Sequence, residues 1–173
     1  ETFSRESGMD YFSHEERFLQ YYRTEFQRCA EVCPISGLSR EIVHTLQGKG
    51  YTVAIATNPI FPAVATESRI RWAGLAPETF AWYTTYENIG YCKPNPDYYR
   101  EILRYLDCRA EDCLMVGNDV EEDMMAAQAA GLSVFLLTDC LLNRKEKDIS
   151  SYPQGDFDAL LAFVEEWGGE ASL

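Results

Sequence analysis

Three groups of residues in this chain have types and spacings that could do chemistry together. Asn118, Asp119 and Asp123 follow the apolar run Cys113-Leu114-Met115-Val116-Gly117. Thr57 and Asn58 close a second apolar run, Tyr51-Thr52-Val53-Ala54-Ile55-Ala56. Lys93 stands in the loop Tyr91-Cys92-Lys93-Pro94-Asn95-Pro96. Oxygen donors gathered in one place suit a hard cation such as Mg2+, which usually shares its ligands with substrate phosphate. A hydroxyl can donate to a phosphate oxygen, and a lysine can offset charge on the phosphate and on a nearby carboxylate. Together with a metal-binding acidic loop, these are what phosphoryl transfer needs. Each group also has a plain structural alternative. The acids could be a solvated helix start, where Asp and Glu are favoured. Thr57 could cap a turn, and Lys93 could lie on the surface.

The elements that must position these groups alternate between strand and helix. Apolar runs near residues 51–56, 80–84, 113–117 and 132–137 read as strands, with the β-branched 51–56 run expected to be buried on both faces. Helical patterns cover Ser39 to Gln47, Pro62 to Ala73, Asp97 to Leu106, Glu121 to Ala130 and Phe157 to Trp167. Gly48, Gly74, Gly131 and Gly168-Gly169 follow helices as stops. This alternation implies an α/β fold with a parallel sheet and right-handed crossovers. Such sheets form their sites outside the carboxyl ends of the strands, where Thr57, Lys93 and the acidic cluster all fall. Residues 1 to 12 carry no clear period. Ser13 with Glu16 reads as a capping box, and Phe18, Tyr22, Phe26, Cys29 and Cys33 recur at helical spacing, predicting one helix to about Cys33. Pro34 and Gly37 break it. Its aromatic face needs a partner, either the main domain or a helical appendage mostly absent from the sequence.

A length of 173 residues with 46% apolar content suits one domain with a real core and a small appendage. The formal net charge of -13 argues against a nucleic-acid or anionic-membrane partner, since both select basic surfaces. It leaves room for a phosphorylated small molecule held by one lysine and backbone amides. No apolar stretch approaches the roughly 20 residues that span a bilayer. No signal peptide is visible, and the chain opens at Glu1-Thr2-Phe3, as a fragment or processed product would. The six cysteines are scattered with no Cys-x-x-Cys pair, so reduced thiols in the cytoplasm are expected rather than disulfides or zinc. His14 and His44 are expected in surface or capping roles. No Gly-x-Gly-x-x-Gly follows a strand, and no P-loop is present.

Taken in order, the three groups resemble motifs of the haloacid dehalogenase-like (HAD) hydrolase superfamily. Thr57 in Ala-Ile-Ala-Thr-Asn-Pro matches the second motif, Lys93 in Cys-Lys-Pro-Asn-Pro-Asp the third, and Val116-Gly117-Asn118-Asp119 with Asp123 the fourth. Order and spacing agree over residues 38 to 140. The resemblance implies a Rossmann-like core with flanking helices over residues 38–173, and the end and linker of a helical cap over residues 1–37. It implies a Mg2+-dependent phosphatase acting on a small phosphomonoester through an aspartyl-phosphate. Thr57 and Lys93 would be catalytic, Thr57, Asn58 and Lys93 would hold the substrate, and Asn118, Asp119 and Asp123 would serve the metal. The first ligand falls on Asn118 or Asp119 depending on register, and Asp123 is either a ligand or an orienting group.

The family's first motif, an Asp-x-Asp pair after the central strand, has no counterpart in residues 1–37. This chain alone is therefore expected to be inactive. The strands at 51–56 and 113–117 should flank a missing one, and with strands about 4.8 Å apart its absence opens a gap of nearly two spacings. Two apolar edges would be exposed there, to be filled by an N-terminal fragment, a swapped segment or a rearranged sheet. The alternative function is a non-catalytic α/β module that binds a ligand or partner. Tyr83, Tyr86 and Tyr91 are expected to pack rather than to touch substrate.

Overall fold

The computed structural model describes residues 2–33 and 35–167. The predicted break at Pro34 and the stop at Gly168-Gly169 lie outside the described residues. The α/β class stands, in two pieces of parallel sheet. Strand β1 (Ala54–Ile55) pairs with β2 (Trp82–Tyr83), and β3 (Leu114–Gly117), β4 (Ser133–Leu137) and β5 (Gln154–Gly155) pair in that order. β5 is additional to the four expected strands; two residues, one of them glycine, carry no strand pattern. β1 and β2 are shorter than the apolar runs that contain them. Each of β1 and β3 has a ladder along one edge, and among the described residues no strand pairs along the other.

Side chains alternate across the larger sheet. Leu114, Val116, Phe135 and Leu137 face α3 (Gly37–Gly48) and α7 (Phe157–Glu166), packing with Ile42, Leu46, Leu160 and Val164. Met115, Val134 and Leu136 face the opposite way, toward Tyr98, Tyr99 and Ile102 of α5 (Pro96–Leu106) and Met124, Ala126 and Ala127 after β3. Ala56 and Trp82 join that second cluster, so α5 packs under both pieces of sheet. Burial is uneven. Val134, Phe135 and Leu136 are buried, whereas Ala54, Ile55 and Leu114–Gly117 are only half-buried. The expected full burial of the 51–56 run is corrected accordingly.

The N-terminal reading needs correction. A short helix α1 (Thr2–Ser7) forms where no period is visible. Helix α2 (Tyr11–Arg23) starts earlier than the Ser13 capping box, because Asp10 is the N-cap and accepts from the Ser13 amide at 3.0 Å. The helix does not run on to Cys33. Thr24, φ -121° and ψ -84°, leaves the helical region, and its hydroxyl bonds back to the Gln20 carbonyl at 2.8 Å. Such back-bonding disturbs a helix, and the chain tightens into a 3₁₀ segment, Glu25–Val32. The aromatic face does find a partner: Tyr22 and Phe26 pack on Phe61, and Phe26 on Trp72 at the end of α4 (Ala63–Trp72). All six cysteines are free, and among the described residues no helix is long and apolar enough to cross a membrane.

Candidate active site

The loop after β1 is fixed from beneath. The Thr57 carbonyl accepts from the Tyr98 hydroxyl at 2.7 Å and from Thr84 Oγ1 at 2.5 Å. Tyr98 is fully buried, and burial pushes its phenol well above the ordinary tyrosine range, so it stays a neutral donor. Two donors on one carbonyl hold the strand end still. Thr57 Oγ1 and the Asn58 N–H are left without a hydrogen-bond partner among the described residues.

Asn58 is a brace. Its Oδ1 accepts from the Lys93 N–H at 3.0 Å, and its Nδ2 donates to Glu122 Oε2 at 3.1 Å. One side chain thus joins the loops after β1 and β3 and the Lys93 loop. Its backbone N–H remains open for a substrate. Lys93 is not a surface lysine. Its ammonium donates to Asp123 Oδ1 at 2.6 Å, with the two side chains 7% and 8% exposed, and it lies 5.7 Å from the centroid of the Tyr98 ring. Tyr98 therefore links Lys93 to the Thr57 turn.

Beyond β3 the chain turns sharply. Asp119 caps the next helix, its Oδ1 accepting from the Glu121 and Glu122 amides at 3.0 Å each. Its Oδ2 accepts from Arg144 at 2.5 Å. Burial raises the Asp119 pKa, but the Glu122 amide, Arg144 and the Glu121 amide outweigh it and hold the carboxyl below its ordinary value. The expected regular helix Glu121–Ala130 begins as a π-helical turn, Val120–Met125, before α6 (Ala126–Ala129). Such wide turns gather at functional sites. Here Asp123 Oδ2 comes back to accept from the Asn118 and Asp119 amides at 3.0 Å each. Gly117 permits this approach, since a Cβ there would collide with the Asp123 side chain.

The predicted residues thus take different roles. Lys93 and Asp123 form a buried pair, Thr57 presents an open hydroxyl, and Asn58 braces. Asp119 and Asp123 have both carboxylate oxygens engaged. Asn118 donates Nδ2 to the Cys140 carbonyl at 2.5 Å, and its Oδ1 has no partner among the described residues. Among the described residues no group of three or more His, Cys, Asp or Glu side chains is arranged to hold a metal. Tyr83 donates to Glu67, Tyr86 shares a hydrogen bond with Tyr11, and Tyr91 is exposed. Sequence reasoning missed Arg144, Glu122, Thr84 and the polar role of Tyr98. Thr84 carried the signal of a polar residue at a strand end.

The fold is a parallel α/β sheet with flanking helices, and the polar groups past β1 and β3 meet at the buried Lys93–Asp123 pair. The chain belongs to the haloacid dehalogenase-like hydrolase family, whose model matches residues 6–131. It is 31% identical over 103 residues to a glyceraldehyde 3-phosphate phosphatase of Methanothermobacter thermautotrophicus, covering 60% of this chain and 44% of that protein. It is 33% identical over 91 residues to the pyrophosphatase PpaX of Bacillus cereus, covering 53% and 40%. The chain thus matches less than half the length of either relative. A HAD phosphatase from Thermococcus onnurineus has the same fold, with a TM-score of 0.62 at 17% identity over 96% of this chain and 85% of that one.

Proposed function

We propose that this chain supplies the phosphate-binding and metal-positioning part of a Mg2+-dependent phosphatase for a small phosphomonoester. The buried Lys93–Asp123 pair, tied through Tyr98 to a turn with an open hydroxyl and amide, carries this reading. Thr57 Oγ1 and the Asn58 N–H would donate to phosphoryl oxygens. Lys93, oriented by Asp123, would offset the charge that builds on them in the transition state. An aspartate outside these residues would attack phosphorus and expel the alcohol, and water would then hydrolyse the aspartyl-phosphate. The donor set fits Mg2+ in part. Asn118 Oδ1 is open, and Mg2+ takes few protein ligands besides water and phosphate. The Asn118–Asp119 stretch would hold it, with Asp123 orienting, and it would supply charge neutralisation on the phosphate.

The nucleophile would arrive on a strand between β1 and β3. Their unpaired edges and half-burial support this. So does α5, where Tyr98 bonds to Thr57 after β1 and Tyr99 bonds to Glu122 after β3 at 2.9 Å. That strand would come from the protein's own N-terminal fragment or a swapped copy. In this reading residues 1–37 are the end and linker of a helical cap, residues 38–173 are the core, and the six free thiols fit the cytoplasm. The alternative, a non-catalytic binding module, draws support from the engagement of both acidic-loop carboxylates by protein donors. The deciding experiment is hydrolysis of a generic aryl phosphate with and without Mg2+. A chain extended upstream through an Asp-x-Asp strand should turn over only with the metal, and the 173-residue chain should not. No turnover by the extended chain favours the binding module.

A further inference from the structure

A pair of thiols lies at the end of the sheet away from the candidate site. Helix α5 ends at Leu106, and Asp107, at φ 52°, turns the chain out of it. Cys108 follows, its N–H donating to the Leu103 carbonyl at 3.0 Å. Cys113 comes just before β3, and its carbonyl accepts from the Ser133 N–H of β4 at 3.0 Å. One cysteine is thus fixed to the last turn of α5 and the other to the sheet. The site residues Tyr98, Tyr99 and Asn118 lie toward the opposite ends of these elements.

The connection between the two cysteines is tight. Ala110–Asp112 form a 3₁₀ turn, with the Asp112 N–H on the Arg109 carbonyl at 3.2 Å and the Cys113 N–H on the Ala110 carbonyl at 3.1 Å. The Arg109 guanidinium closes the turn from outside, on Asp112 at 2.8 Å and on Glu111 at 3.1 Å. The chain doubles back, and the two thiols lie within hydrogen-bond reach of each other. Each sulfur also donates to a nearby carbonyl at 3.3 Å, Cys108 to Leu106 and Cys113 to Arg109. Both cysteines are half-buried, whereas Cys29, Cys33, Cys92 and Cys140 are exposed. A disulfide needs side chains that face each other across a short gap, and thiols in contact across a tight turn have this arrangement.

We propose that Cys108 and Cys113 form a peroxide-sensitive disulfide that fastens the end of α5 to the start of β3. Helix α5 packs under both pieces of sheet, so the bond ties it covalently to the larger piece. The chemistry balances with a peroxide as oxidant. The Cys108 thiolate attacks a peroxide oxygen, the O–O bond breaks, and the departing oxygen takes a proton and leaves as water. Cys108 becomes a sulfenic acid. Cys113 gives up its proton and attacks the Cys108 sulfur, forming the S–S bond and expelling the sulfenic oxygen as water. Two thiols are oxidised, and one hydrogen peroxide is reduced to two waters. Burial, and then the charge and hydrogen bond of Cys108, push the Cys113 thiol up. Cys113 therefore suits the second, resolving step rather than the first attack.

The test treats the 173-residue chain with one equivalent of hydrogen peroxide, blocks remaining thiols with N-ethylmaleimide, and digests with trypsin without reduction. Trypsin cuts after Arg104, Arg109 and Arg144, so the bond joins the peptide Tyr105–Arg109 to the peptide Ala110–Arg144. The second peptide also carries Cys140, and fragmentation should place the bond on Cys113. The midpoint of thermal unfolding should rise by about 4 °C. Both changes should reverse with dithiothreitol and be absent in Cys108→Ser. Oxidised or maleimide-blocked Cys108 with no joined peptide, or a bond to Cys140, would overturn the disulfide. A midpoint that stays or falls in the joined protein, or a rise that persists in Cys108→Ser, would overturn its fastening role.

Discussion

Replacing Lys93 by Met leaves a buried carboxylate without its cation. The two side chains are 7% and 8% exposed and their charged atoms are 2.6 Å apart. Breaking a buried pair from one side typically costs about 3–5 kcal/mol, because the remaining charge stays desolvated. Asp123 keeps two amide hydrogen bonds at 3.0 Å, and bonds to a charged group are worth about 1.5–3 kcal/mol each. The loss should therefore fall near the lower bound, about 3 kcal/mol. Methionine fills the lysine stem's volume, so packing beside Tyr98 is largely kept. Urea denaturation followed by tryptophan fluorescence should show the midpoint fall by about 1.5 M, for an m-value near 2 kcal/mol/M. Adding Asp123→Asn should cost less than the sum of the two single changes, with a coupling of about 1–3 kcal/mol. A loss under about 1 kcal/mol, or strict additivity, would refute the claim that this pair is buried and interdependent.

Other outcomes follow from the same geometry. Thr57→Val should alter stability by less than about 0.5 kcal/mol, because Oγ1 has no internal partner. In the extended, active chain it should lower kcat/KM by about tenfold or more, as loss of a hydrogen bond to a charged group does. Gly117→Ala should destabilise by about 1–3 kcal/mol in thermal denaturation, because its Cβ would strike Asp123. The depressed Asp119 pKa adds stability above its unfolded value, near pH 4, which is lost as pH falls through the folded pKa. Wild type should therefore exceed Asp119→Asn in stability at pH 7, and the difference should shrink below about pH 4 in urea titrations at each pH.

Much of the site was legible because its residues sit where apolar runs end. The alternation of runs and helical spacings put Thr57 and the acidic cluster just past strand ends, with Lys93 in the loop between β2 and α5. What was not legible depends on contacts between distant segments. Arg144 meets Asp119 across 25 residues, and nothing in the mixed-charge stretch around it names a partner. Asn58 was expected to hold substrate, yet both ends of its amide brace other loops. The Ala- and Met-rich stretch after β3 has good α-helix propensity, and the return of Asp123 to the strand-end amides overrides it with a π turn. At the N-terminus, Ser13 was expected to cap the helix, whereas the cap is Asp10, whose carboxylate accepts from the Ser13 amide.

The central claim is that residues of this chain bind and steady a phosphoryl group which a nucleophile outside it accepts. The direct measurement is acid-quenched intact-mass and peptide mass spectrometry of the upstream-extended chain, mixed with an aryl phosphate and Mg2+. A single hydroxylamine-sensitive phosphoryl group on an aspartate upstream of Glu1 is the predicted result, diminished in Lys93→Met. A phosphoryl group on a residue between Glu1 and Leu173 would contradict the account.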